Sequence, residues 1–126
     1  EVVRFVWNYY RRNPEFIALL NTENLHRGRH IARSPRAGEY SSPAVRLLEA
    51  VLERGVARGE FRGTVTARDV YLMIAALGYF YLSNRYTLSA FLGERIDTPE
   101  AFEHWEAFIV DAVRRAVGPP ERLASG

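Results

Sequence analysis

The chain has 126 residues, 48% of them hydrophobic and 25% charged, a balance that excludes a disordered segment and fits one compact domain. It contains no cysteine, which excludes disulfide scaffolds, zinc fingers, iron–sulfur clusters and thiol catalysis. Its 17 basic residues, all arginine, are interspersed with 15 acidic ones to a formal charge of +2, so no dense basic face of the kind nucleic acid needs is evident.

The first apolar run is interrupted by Arg4, Trp7 and Asn8 and does not read as a signal peptide. The uncharged stretch from Val70 to Asn84 falls short of the ~18–20 residues of a membrane span. A cytoplasmic protein is expected, with no membrane partner. The chain opens on Glu1 rather than Met, and we read it as part of something longer.

Stop and start signals predict about five helices and no strand. The first covers Glu1 to Arg12, with Val2, Phe5, Val6 and Tyr9 at spacings of three and four. Asn13-Pro14 supplies a cap and a proline at the first helical position, opening a second helix that reaches about Arg27, where Gly28 weakens it. Between Arg33 and Ser42, the residues Ser34, Pro35, Gly38 and Ser41 mark a loop. Ser42-Pro43 repeats the cap signature for a helix from Pro43 to Arg58, and Gly59 fits the left-handed position just beyond it.

Thr66-Ala67-Arg68-Asp69 is a capping-box start. The helix behind it is apolar on every side through Leu82 and therefore needs cover on two faces. Thr87 to Leu92 either extends this helix or forms a separate turn. Asp97-Thr98-Pro99 opens a last helix to about Val117, stopped by Gly118-Pro119-Pro120, and its apolar arc is also too broad for a one-sided helix. Two consecutive helices with surplus apolar surface point to a four-helix interface in a homodimer. The faces expected there carry Leu72, Ala76, Tyr79 and Ser83 on one helix and Trp105, Phe108, Ile109 and Ala112 on the other.

No nucleophile–base pair, phosphate loop or dinucleotide fingerprint is present, and no enzymatic activity or cofactor is expected. Glu23, His26 and His30 share one face if their helix is continuous, which keeps open an alternative reading as a small helical-bundle metal protein or enzyme. Arg27, Arg29, Arg33 and Arg36 form the basic cluster of the chain: a solvated loop or a grip for an anion. Asn24 follows Ile17 and Leu20 on one helical face, so its amide is expected to point inward. Few polar groups among aromatics are the usual make-up of a small-molecule pocket, and Trp7, Tyr10, Phe16, Tyr71 and Tyr81 are candidate walls.

The run from Asn13 to Asn24, the Arg58-Gly59-Glu60-Phe61-Arg62 punctuation, the Thr66–Asp69 cap and the segment Tyr79 to Asn84 resemble the C-terminal domain of bacterial tetracycline-repressor-like (TetR family) transcriptional regulators. The resemblance implies an all-helical antiparallel bundle over residues 1–118, followed by a tail at 119–126. It implies a domain that binds a small effector, apolar or aromatic, and dimerises through its last two helices. DNA is then bound only through an N-terminal helix-turn-helix domain absent from this chain, which the arginine cluster would face if it does not face DNA itself. By position, the resemblance places the effector against Trp7, Tyr10, Phe16, Leu20, Asn24, Met73, Leu77 and Tyr81.

Overall fold

The computed structural model describes residues 1–37 and 42–119, and among these the only regular elements are seven helices. They are α1 (Val2–Arg12), α2 (Pro14–Leu25), α3 (Arg29–Ala32), α4 (Ser42–Ala57), α5 (Ala67–Ser83), α6 (Arg85–Leu92) and α7 (Pro99–Val117). The five predicted helices are α1, α2, α4, α5 and α7; the single turn α3 and the short α6 are additional. Thr87 to Leu92 thus belongs to a separate helix, because the chain breaks at Asn84 rather than continuing α5. Gly38, Ser41 and the tail from residue 120 onward lie outside the described residues.

The local signals act largely as their chemistry dictates. Thr66 accepts the backbone N–H of Asp69 at 3.1 Å while the Asp69 carboxylate accepts that of Thr66, a complete capping box. Thr98 caps α7 by accepting from the N–H of Ala101. Gly59 takes the left-handed conformation after α4, with φ of 73°. Asn13 departs from expectation: its amide donates back to the carbonyl of Tyr9 at 2.8 Å and makes no cap bond to α2.

The core is built around α5. Its buried stripe, Val70, Ile74, Gly78, Tyr81 and Leu82, meets Trp7 and Tyr10 of α1, Leu48 and Leu52 of α4, and Ile109, Val113 and Val117 of α7. Gly78 is the point of closest approach to α1, since a Cβ there would sit 3.2 Å from the Tyr10 ring and 3.5 Å from that of Trp7. Arg4 pairs with Glu106 at 3.0 Å and the Arg11 guanidinium lies over the ring of Phe102, so α1 and α7 run antiparallel. Trp105 donates its indole N–H to the carbonyl of Leu77, fixing α7 against the middle of α5. At the other end, Gly55 lets the Phe61 ring fold against α4: a Cβ at residue 55 would overlap that ring at 1.9 Å.

Candidate functional site

A concavity of about 390 Å³ opens between α1, α2, α4 and α5. One wall is the α1 stripe Val2, Phe5, Val6, Tyr9 and Tyr10; the others are Phe16 from α2, Pro43, Ala44 and Leu47 from α4, and Tyr71 from α5. The rings are arranged rather than merely adjacent. Phe16 stacks on Tyr10 with centroids 6.1 Å apart and 12° between planes, and meets Tyr9 edge-on at 5.4 Å. No charged side chain lines this concavity, and three tyrosines, Tyr9, Tyr10 and Tyr71, are among its lining residues. Burial, with Tyr71 and then Tyr9 beside it, pushes the Tyr10 phenol up to about 12, so it stays a neutral hydroxyl at physiological pH.

Of the eight residues expected to hold an effector, Tyr10 and Phe16 lie on this concavity. Trp7 is fully buried, edge-on to both Tyr81 and Phe102, and belongs to the core. Tyr81 is buried too, its hydroxyl donating to the carbonyl of Ile96 at 2.6 Å. Leu20, Met73 and Leu77 are half-buried and line none of the concavity, and Asn24 is exposed. The Asn24 amide reaches the Tyr79 hydroxyl at 3.3 Å instead of pointing inward.

The physical reason is the rotation of α5. Its core stripe passes through Val70 and Ile74, which puts Tyr71, one residue on, at the concavity and turns Met73 and Leu77 away. The α1 wall of the concavity was legible in the sequence: Val2, Phe5, Val6 and Tyr9 carry helical periodicity, with Val2 and Val6 packed against the core while Phe5 and Tyr9 remain exposed at the opening.

The expected interface residues also divide. Leu72, Ala76 and Phe108 are exposed and Ala112 is half-buried. Phe80, not anticipated, is 56% exposed on the flank of the same α5 surface. Ile109, however, is fully buried within the protomer. Tyr79 and Ser83 both donate hydroxyl hydrogens to the Asn21 side-chain oxygen, so they hold α2 onto α5. Trp105 is half-buried between Tyr81 and Phe108, stacked at centroid distances of 5.0 and 4.9 Å.

The geometry gives the metal reading no support, although the His26 and His30 rings lie with centroids 5.3 Å apart. Helix α2 ends at Leu25, and Arg27 and Gly28 both adopt left-handed conformations, φ 58° and 71°, which turn the chain before His30. The Glu23 carboxylate, buried, accepts the backbone N–H of Ile31 at 3.1 Å. Among the described residues, no three His, Asp or Glu side chains are grouped closely enough to hold a metal ion. None of the described helices is long and apolar enough to cross a membrane.

The described residues form a helical bundle carrying a small apolar concavity walled by aromatic rings. Residues 1–113 match the family model described as tetracyclin repressor-like, C-terminal domain, and the chain belongs to that family. It is also 44% identical over 117 residues to a protein of Pseudomonas putida named HTH-type transcriptional repressor NicS. That match takes in 93% of this chain and 55% of the relative, so the chain spans about half the length of the curated protein it matches.

Proposed function

We propose that this chain is the effector-binding and dimerisation domain of a bacterial transcriptional repressor. A small molecule bound in the α1–α2–α4–α5 concavity would control DNA binding by a helix-turn-helix domain outside this chain. The observation that carries the reading is the concavity itself. Its volume of about 390 Å³ falls in the range of small-molecule sites, roughly 300–1,000 Å³, and its lining is apolar with a few hydroxyls to orient a ligand. An uncharged apolar or aromatic effector fits that chemistry.

A ligand bridging Phe5 and Tyr9 to Leu47 would set the separation of α1 from α4. Only a ligand that prefers one separation shifts the population of the two states. In a dimer, the shift would alter the spacing of two recognition helices against the half-sites of an operator. The partner subunit would cover Leu72, Ala76, Phe80 and Phe108, with Ala112 allowing close helix approach. Family membership, together with the relative's name as a repressor, supports regulation rather than catalysis, in the cytoplasm where DNA is reached.

Native mass spectrometry tests the reading. The expected species is twice the 14.4 kDa chain mass, and an apolar aromatic such as naphthalene is expected to raise the melting temperature. Tyr71→Ala, which removes one wall of the concavity, is expected to abolish the rise while leaving the dimer. A ligand response undiminished in Tyr71→Ala rejects the concavity as the effector site, and a monomer rejects the dimer.

A further inference from the structure

Another concavity, of about 350 Å³, lies at the opposite end of α1, where the α1–α2 turn meets the α5–α6 corner. Three arginines line it: Arg11 and Arg12 from the last turn of α1, and Arg85 from the first turn of α6. Asn8 adds an amide, while Pro14, Ile17, Leu82 and Phe102 supply apolar floor and wall. No carboxylate lines it.

Among the described residues, none of these three arginines forms an ion pair with a carboxylate. Arg12 makes no ion pair or hydrogen bond among the described residues, and Arg11 makes only its contact over the Phe102 ring, at 4.9 Å. Arg85 donates to the Leu82 carbonyl at 2.6 Å and the Tyr86 hydroxyl at 3.0 Å, both neutral acceptors. Asp97 senses the charge of Arg85, but its two oxygens are taken by Arg95 at 3.1 and 3.2 Å.

Helix polarity favours arginines in the last turn of α1, which accounts for Arg11 and Arg12 as a pair. It does not account for Arg85, brought from another helix to the same concavity. Like charges gathered around a shared depression repel one another, and a bound anion relieves that repulsion. Guanidinium groups present planar, forked donors that match an oxyanion.

We propose that this concavity binds a small organic oxyanion, a carboxylate or phosphate carried on an apolar body that rests on Leu82 and Phe102. The site is separate from the effector concavity and has Tyr10 as the wall common to both. It does not rest on the regulatory reading.

The test is a titration of the chain with sodium benzoate, its neutral counterpart benzamide, and inorganic phosphate, followed by nitrogen-15 NMR including the arginine side-chain resonances. Benzoate is expected to shift Arg12, Arg85 and Leu82 saturably, with benzamide at least about tenfold weaker, the loss expected for a charged hydrogen bond. Arg12→Gln and Arg85→Gln are each expected to weaken benzoate about tenfold. Because Arg85 also holds Leu82 and Tyr86, its variant can lose fold as well as site; Arg12, which holds nothing, keeps the test decisive. Equal binding of benzamide, or an unchanged Arg12→Gln, overturns the oxyanion site. Phosphate binding as tightly as benzoate overturns the apolar body. Shifts at Tyr9 and Leu47 instead place benzoate in the effector concavity and overturn this assignment alone.

Discussion

The hydroxyl of Tyr81 donates to the carbonyl of Ile96 at 2.6 Å in a buried setting, so the segment leading into α7 is tied to the end of α5. The N–H of Ile96 is engaged as well, donating to the Ser89 hydroxyl at 3.1 Å. Both backbone groups of one residue are therefore satisfied from two different helices, and α6 is locked between them. Tyr81→Phe leaves the Ile96 carbonyl without its donor while keeping the ring stacked on Trp105. The expected cost is about 1–3 kcal/mol, the penalty for a buried polar group left unpaired. Urea denaturation measures it, and a midpoint unchanged from the parent chain would mean that water replaces the phenol.

Asp69 closes the capping box of the central helix. The Thr66 backbone N–H, then the Thr66 side chain, hold its carboxyl below the usual carboxylate range. The folded-state pKa is depressed, so the box contributes stability above the unfolded-state value, near pH 4, and loses it as pH falls through the folded value. The melting temperature is expected to decline on acidification below about pH 4, and Asp69→Asn is expected to flatten that part of the profile. An identical acid slope in the variant would assign the decline to other carboxylates.

Much of the fold was legible because its signals are local. The Thr66–Asp69 box, Thr98-Pro99 and Gly59 mark helix ends through bonds made within a few residues, and each is found in place. The breaks around Arg27 and Asn84 were harder. Arg27 takes a left-handed conformation that an arginine side chain does not advertise, and the separation of α6 from α5 is held by contacts such as Tyr81 to Ile96, distant in sequence. The site was less legible than the fold for a related reason. Periodicity shows which residues share a face, but not whether that face meets core, concavity or partner. Trp7 and Tyr9 sit two residues apart on α1, and one is fully buried while the other lines the concavity. Likewise, Tyr79 shares a face with Leu72, yet Asn21 and Asn24 of α2 claim its hydroxyl.

Tyr10 offers a readout at the wall between the two concavities. Its pKa, pushed up to about 12 by burial and by the neighbouring Tyr71 and Tyr9, exceeds the ordinary phenol value of 10.0. For this group, the folded state keeps the proton longer than the unfolded chain. Its contribution to stability is complete below about pH 10 and is lost as pH rises towards 12. Burial raises the Tyr81 phenol as well, so ultraviolet difference titration is expected to show late-ionising phenols from both, and Tyr10→Phe is expected to reduce that late amplitude. A late amplitude undiminished in the variant would assign it to tyrosines other than Tyr10.

Phe108 and Ile109 are adjacent on α7, yet their surroundings are opposite: Phe108 is 50% exposed and Ile109 fully buried. Truncating Ile109 opens a cavity in the protomer, with an expected loss of about 2–5 kcal/mol, whatever the oligomeric state. Truncating Phe108 removes a ring whose outer half meets solvent and whose inner half stacks on Trp105, so the monomer is expected to lose under about 1.5 kcal/mol. In the proposed dimer, the same ring lies at a helix–helix contact repeated by symmetry, so each truncation is felt twice. Sedimentation at graded protein concentrations is therefore expected to show Phe108→Ala dissociating at concentrations where the parent chain stays dimeric. Ile109→Ala is expected to melt earlier without that specific shift. If Phe108→Ala associates as tightly as the parent chain, the α5–α7 surface is not where the second subunit sits.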